Sequence, residues 1–338
     1  MAADEKFMRE AIRLAEKGSG KTRPNPAVGC VIAKGGRIIG RGWHRGAGKP
    51  HAELEALRSL KNPADARGAT VYVTLEPCCT HGKTPPCTDA LISAGVSRVV
   101  AGAIDPNPQH RGRGLALLRR RKIKTEAGLL VRECEAINPD FNHVMRTGRP
   151  WVVAKCGMSL DGRLTRPPGE GPWITSPAAR RDAMKLRAEV DAVMVGAGTV
   201  RADDPALTLR GVKGRQPRRV IWAPRRLPPK NSQLLQRNPA AGDVIVLRQK
   251  SLRVALAELA KLGIHRVLLE GGGYALGQAF DQRLVQEVVF YVAPLLSGGR
   301  VPAVGASGAG DTAHAWKLVG CHCRKIGACL RLHGQLQY

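Results

Sequence analysis

Strand-like and helix-like patterns alternate along almost the whole chain, and they break and restart once, at MRTGRPWV, residues 145–152. Before the break comes an amphipathic helix with Phe7, Ala11, Leu14 and Ala15 on one face and Gly18 at its end, then a hairpin, VGCVIAKGGRIIGRGWH, turning at Gly35 and Gly36. A helix starting near His51, the strand ATVYVTLE, the helix TDALISAG, the strand VSRVVAGAID and the helix GRGLALLRRR follow. After the break come PWVVAKCGMSLDGR, the helix SPAARRDAMKLRAE, the strands VDAVMVGAG, RRVIWA and DVIVLR, and the helix LRVALAELAKLG. The strand HRVLLE, a triple glycine, another helix and QEVVFYVAPLL complete this half. Such interleaving marks layered α/β domains, and 338 residues suffice for two of them, each with its own core. The sequence therefore predicts two α/β domains, residues 1–146 and 147–338, with the Pro- and Arg-rich stretch 212–230 as an exposed loop.

Composition narrows the setting. No run of eighteen apolar residues occurs, so no membrane span is expected. The first residues carry charges of both signs and lack the apolar core of a signal peptide, which points to the cytoplasm. Nine cysteines, an odd number, read as thiols and metal ligands. The net charge of +27 suits phosphate-bearing ligands, but with only 4% aromatic residues there is little to stack unpaired bases on. Basic residues are spread through both halves, apart from short runs such as RRRKIK at 119–124, so most of the charge reads as solvated surface and no nucleic-acid partner is expected.

The stretch KPHAELEALRSL, residues 49–60, sets His51 and Glu53 two positions apart at a helix start. Side chains so spaced diverge on a helix, so the pair makes sense if one binds a metal and the other meets the water on it. Downstream, LEPCCTHGKTPPC, residues 75–87, supplies Cys78 and Cys87. One imidazole and two thiolates leave one position of a tetrahedral zinc open, the pattern of a catalytic rather than a structural ion. Glu53 is then placed to move protons. His81 competes as a ligand on chemistry alone, while Cys79 should point away from Cys78 along the turn. Cys87 opens TDALISAG, where a helix dipole favours a thiolate, and is taken as the third ligand.

Taken together, PNPAVGCVI (24–32), HAE (51–53), TLEPC (74–78), HGKTPPC (81–87) and DPNP (105–108) resemble the deaminase domain of the bifunctional riboflavin-biosynthesis deaminase-reductases. The resemblance implies a cytidine-deaminase-like, three-layer α/β domain. It further implies that Asn25, His44, Lys83, Asp105 and Asn107 line the substrate pocket. Members of the family usually have Ser where this chain has Cys79.

In the second half LLEGGGYALGQAF, 268–280, runs from strand through glycines to helix, a shape in which main-chain N–H groups can approach a pyrophosphate. There is no G-x-G-x-x-G. KCGMSLDGR (155–163), WITS (173–176), VGAGTVRADDPALTLR (195–210) and LLEGGG (268–273) resemble, in order, the reductase domain of the same family, which implies a dihydrofolate-reductase-like fold and NADPH as cofactor. The resemblance assigns Gly157, Trp173, Thr199, Asp203 and the run Gly272, Gly273, Tyr274, Ala275, Leu276, Gly277 and Gln278 to the cofactor. It assigns Gly171, Arg187, Leu207, Arg210 and Glu270 to the substrate, with the arginines on its phosphate. Trp222 and Ala223 stand where relatives tend to carry Asp followed by Ser or Thr, and Asp203 is the candidate proton donor. The tail GCHCRKIGACLRL could hold a metal through Cys321, His322, Cys323 and Cys329; alternation favours a strand with buried thiols.

The activity so implied is zinc-dependent hydrolytic deamination of 2,5-diamino-6-(5-phosphoribosylamino)pyrimidin-4-one, then NADPH-dependent reduction of the ribosyl chain to ribityl phosphate, by a homo-oligomer joined through the second domain. The rivals are a nucleic-acid base deaminase with an unrelated second half, and a binding protein with a purely structural zinc.

Overall fold

The computed structural model describes residues 2–81, 85–164, 173–236, 242 and 244–338. The chain divides into two compact units, Met1–Gly148 and Arg149–Tyr338.

The first unit runs α1 (Ala2–Glu16), β1 (Gly29–Lys34), β2 (Arg37–Trp43), α2 (Ala52–Arg58), β3 (Thr70–Leu75), α3 (Cys87–Ser93), β4 (Arg98–Ala103), α4 (Arg113–Arg120), β5 (Lys124–Ala127), α5 (Val131–Ala136) and α6 (Pro139–Thr147). Its sheet has the order β2-β1-β3-β4-β5, antiparallel across β2, β1 and β3 and parallel from β3 to β5. Alternate residues of each strand feed opposite faces. Cys30, Ile32, Val71 and Val73 pack under α2, α3 and α4, while Val31, Ala33 and Tyr72 pack against Phe7, Met8, Ala11 and Leu14 of α1. Three layers result.

The polar segments β5, α5 and α6 escape the pattern reading. KTEA has no apolar alternation, and it becomes a strand because Lys124 pairs with Arg98 at the edge of a sheet already formed.

One glycine controls how α2 meets the sheet. A Cβ at Gly42 would lie 2.2 Å from the Ala52 carbonyl oxygen and 2.3 Å from the Ala56 nitrogen, so β2 and α2 pack main chain to main chain. We expect Gly42→Ala to cost about 1–3 kcal/mol by overpacking. Because α2 carries Glu53, the deamination that the resemblance implies should fall along with the thermal midpoint; a melt paired with an ammonia assay checks this.

The second unit contains β6 (Trp151–Ser159), α7 (Pro177–Ala188), β7 (Ala192–Gly196), α8 (Ala197–Asp203), β8 (Arg218–Trp222), β9 (Val244–Leu247), α9 (Leu252–Lys261), β10 (Arg266–Glu270), α10 (Gly273–Asp281), β11 (Glu287–Ala293), β12 (Lys317–Ile326) and β13 (Cys329–Gln337). Among the described residues its sheet has the order β12-β13-β11-β6-β10-β7-β8-β9, parallel from β11 to β9 with β13 and β12 added antiparallel. Apolar clusters fill both faces, one with α9 and α10, the other with α7 and α8.

Three expectations are corrected here. The segment 212–230 is not wholly a loop, for the expected strand RRVIWA forms inside it as β8, with Val220 and Ile221 at 0% exposure. Residues 197–198 of VGAG begin α8 instead of continuing the strand. Cys329 is buried, but Cys321 and Cys323 are exposed, because β12 is the outermost strand of the sheet.

Candidate active sites

In a parallel sheet, ligands gather beyond the carboxyl ends of the strands. In the first unit β3 ends into Glu76, Pro77 and Cys78, β4 ends into the Asp105–Pro106–Asn107–Pro108 turn, and α2 and α3 present their N-termini nearby. His51 is the N-cap residue of α2 and Cys87 the first residue of α3. His51 Nδ1 lies 3.2 Å from Cys87 Sγ and 3.5 Å from Cys78 Sγ, and the three ligand atoms fall within 4.8 Å of one another. A tetrahedral zinc with ordinary Zn–S and Zn–N bonds would hold such atoms about 3.6 Å apart, so the donor set fits that ion. Among the described residues no other group of His, Cys, Asp or Glu converges this way; His81 is not part of it, and Cys79 Sγ faces His110 Nδ1 at 3.9 Å instead.

The two thiols divide one proton unequally. The Cys87 thiol and the His51 ring draw the Cys78 thiol down to about 4, while Cys87 is pushed up by sharing its proton with Cys78 and by burial. The main-chain N–H of Cys87 also donates to Cys78 Sγ at 3.4 Å. Contact with Cys78 raises the basicity of His51. Glu53, only 3% exposed, is pushed up to about 6 by burial, a range suited to taking and giving protons near neutrality.

Around this centre, the rings of His44 and His51 meet edge to face at 5.2 Å. His44 Nδ1 is 3.0 Å from the Pro50 carbonyl, which can only accept, so Nδ1 carries the proton and Nε2 receives the Asn25 amide at 3.2 Å. Burial lowers the pKa of His44, in keeping with this neutral form. Asp105 is buried and raised to about 6 by that burial; its Oδ1 accepts the N–H of Asn107 at 2.8 Å. Asn25 lies just before β1 and His44 just after β2, joined by their side chains, while Asp105 and Asn107 lie in the turn after β4. Lys83 and Gly171 lie outside the described residues.

In the second unit a cleft of about 360 Å³ opens at the carboxyl ends of β6, β7 and β10. Gly157, Trp173, Thr199, Asp203, Arg187, Leu207, Arg210, Glu270 and Gly272 line it. Glu270 accepts from Arg187 Nε at 2.7 Å and Nη2 at 3.1 Å, and from Lys155 Nζ at 3.4 Å. Burial alone would raise this carboxyl, but the Lys155 and Arg187 charges outweigh it and hold it near about 2. Lys155, on the cleft floor, went unnoticed in the sequence; its signal is a charge inside the apolar strand VVAKC. Asp203 is exposed at the rim.

Among the described residues the buried Thr199 hydroxyl has no hydrogen-bond partner, and a Cβ on Gly272 would come within 2.8 Å of it. Gly271 adopts φ +95°, which favours glycine. An unsatisfied hydroxyl beside a bare main-chain turn suits a ligand rich in phosphate and ribose oxygens. Beyond this turn the expected run divides. Tyr274 is exposed, Gln278 is half-buried, and Gly273 and Gly277 are buried within α10. Ala275 and Leu276 belong to the core, which leaves them only main-chain groups to offer. Trp222, the departure noted above, is fully buried, donates from Nε1 to the Gln249 carbonyl at 2.9 Å and stacks on Tyr274 at 5.8 Å; Ala223 is likewise buried.

Replacing Glu270 by Gln leaves Arg187 and Lys155 without their counter-charge, so we expect Glu270→Gln to destabilise the second unit by about 3–5 kcal/mol. The wild-type carboxyl starts from 4.5 and is depressed in the fold, so its stabilisation is complete above about pH 4.5 and lost as pH falls towards about 2. Urea unfolding against pH should show this slope in the wild type and a shallower one in the variant.

Residues 150–329 match the family described as RibD C-terminal domain, and residues 1–103 match the cytidine and deoxycytidylate deaminase zinc-binding region. Riboflavin biosynthesis protein RibD of Escherichia coli is 42% identical over 327 residues, covering 87% of this chain and 89% of its own. Acinetobacter baumannii RibD has a solved structure 37% identical, with a TM-score of 0.85, covering 100% of this chain and 99% of that one. The structure of a Thermotoga maritima diaminohydroxyphosphoribosylaminopyrimidine deaminase/5-amino-6-(5-phosphoribosylamino)uracil reductase is 34% identical, with a TM-score of 0.81, covering 99% of each chain.

Proposed function

The chain belongs to the RibD family of riboflavin-biosynthesis enzymes, and from that membership we propose how its residues divide the work. It is a bifunctional enzyme, a zinc-dependent deaminase and a reductase using a nicotinamide cofactor, acting on a small pyrimidine. The nucleic-acid deaminase reading is not favoured, since the match runs on through the second half.

We assign deamination to the first unit and reduction to the second. His51, Cys78 and Cys87 are the zinc ligands in this proposal. Bound there, zinc supplies the Lewis acidity that makes a water acidic near neutral pH. Glu53 takes one proton of the attacking water and delivers it to the ring nitrogen of 2,5-diamino-6-(5-phosphoribosylamino)pyrimidin-4-one, then carries the second from the same oxygen to the departing amino group, which leaves as ammonia and gives the aminouracil. Asn25, His44, Lys83, Asp105 and Asn107 hold the substrate. The observation carrying this reading is the convergence of one imidazole and two thiols beside a buried carboxylate.

Bound in the second unit, NADPH would supply the hydride for C1 of the opened ribose, and Asp203, the candidate donor, the proton for the nitrogen attached to C1. Gly157, Trp173, Thr199, Asp203 and the segment from Gly272 to Gln278 receive the cofactor, supported by the Thr199 hydroxyl, which has no partner among the described residues. Gly171, Arg187, Leu207, Arg210 and Glu270 receive the substrate; Arg210 is exposed, while Arg187 is committed to Glu270. Measured KM values should favour NADPH over NADH; equal values would remove this preference.

No helix among the described residues is long and apolar enough to cross a membrane. The reading places the enzyme in the cytoplasm, supported by nine free cysteines. It also joins copies through the second unit, supported by the exposed edge strand β12; solution mass measurement checks this.

A further inference from the structure

Glu76, two residues before Cys78, is 3% exposed, and nothing above gives it a role. Its carboxylate is occupied by main chain from two other segments. Oε2 accepts the N–H of Asp105 at 3.2 Å and of Gly112 at 2.8 Å, and Oε1 accepts the N–H of Leu115 at 3.2 Å.

Gly112 and Leu115 are the N-cap and third residue of α4. N–H groups in a first helical turn have no partner within the helix, and negative charge is favoured there. The cap residue itself is a glycine without a side chain to offer, so Glu76 caps α4 from 36 residues away. Contact is direct, since a Cβ on Gly114 would meet the Pro77 carbonyl oxygen at 2.1 Å. The Asp105 N–H opens the Asp105–Pro106–Asn107–Pro108 turn, and that turn is held in shape by the Asp105 side chain on the N–H of Asn107. One carboxylate thus ties the turn bearing Cys78 to the turn bearing Asp105 and Asn107.

We propose that Glu76 is a positioning residue of the deaminase: it fixes the Asp105–Asn107 turn against the Pro77–Cys78 turn, and so sets the affinity for the pyrimidine substrate rather than the rate of chemistry. This rests on the reading of Asp105 and Asn107 as substrate contacts. Gln at this position matches the shape but turns an NH₂ group towards an N–H donor, so at least one of the three bonds is lost.

The test is steady-state deamination by the full chain carrying Glu76→Gln, Glu76→Asp or Asn107→Ala, with zinc content and melting temperature measured on each. The expected result is a KM raised about tenfold by Glu76→Gln, the worth of one hydrogen bond to a charged group, with kcat little changed and zinc retained. Glu76→Asp keeps the charge and should raise KM less; if the Gln variant does not fold, the Asp variant decides on the same criteria. A normal KM in the Glu76 variants beside a raised KM in Asn107→Ala would overturn the proposal and leave Glu76 a purely structural cap. A fall in kcat together with loss of zinc would overturn it too, placing the effect on the metal turn. Normal KM in all three variants would show instead that the Asp105–Asn107 turn does not meet substrate, and the proposal would fall with that reading.

Discussion

Glu53→Gln should reduce the kcat for ammonia release by about 10²–10⁴, the usual weight of a positioned general acid–base. Gln preserves the length, the burial and the hydrogen-bonding capacity of the side chain at the second position of α2. What it cannot do is carry a proton between the water and the ring. The three candidate ligands lie on His51, Cys78 and Cys87, none of which is altered, so metal analysis should show zinc at wild-type content. Reduction of the deaminated pyrimidine should proceed unchanged, because the described residues lining the cleft at Lys155, Arg187 and Glu270 belong to the second unit. A variant retaining half its deaminase activity would show that Glu53 does not move the proton, as a purely structural zinc requires.

Zinc removal should have the other large effect, and an asymmetric one. The donor atoms come from the N-terminus of α2, the turn after β3 and the N-terminus of α3, so the ion joins three segments that the chain brings together only on folding. Chelation should abolish ammonia release and zinc should restore it. NADPH oxidation with pre-deaminated substrate should not respond. Cys87→Ala leaves two ligands and should behave like the chelated protein, but without rescue at the same zinc concentration. Deamination that survives complete zinc removal would be incompatible with this centre.

The fate of individual residues shows how far the sequence could be read. His51, Glu53, Cys78 and Cys87 were legible because each sits at the edge of an element whose pattern is local, a helix start or a strand end. Lys155 was not, because its meaning depends on register: parallel pairing sets Lys155 directly beside Glu270, 115 residues away. Glu76 was hidden for a similar reason, since its three partners lie 29 to 39 residues on and are main-chain groups without any sequence signature. Alternation in the tail correctly suggested strand, yet it could not tell a covered strand from an edge, and Cys321 and Cys323 are exposed on β12. At Trp222 the sequence showed a departure at a strand end; only the fold shows the indole absorbed into the core with its N–H on Gln249.

The most direct measurement follows two signals from one sample of the purified chain: ammonia released from 2,5-diamino-6-(5-phosphoribosylamino)pyrimidin-4-one, then NADPH absorbance once deamination is complete. Both signals, in that order, are the expected result. Ammonia without loss of NADPH would contradict the assignment of reduction to the second unit, and silence in both channels would contradict the bifunctional reading as a whole.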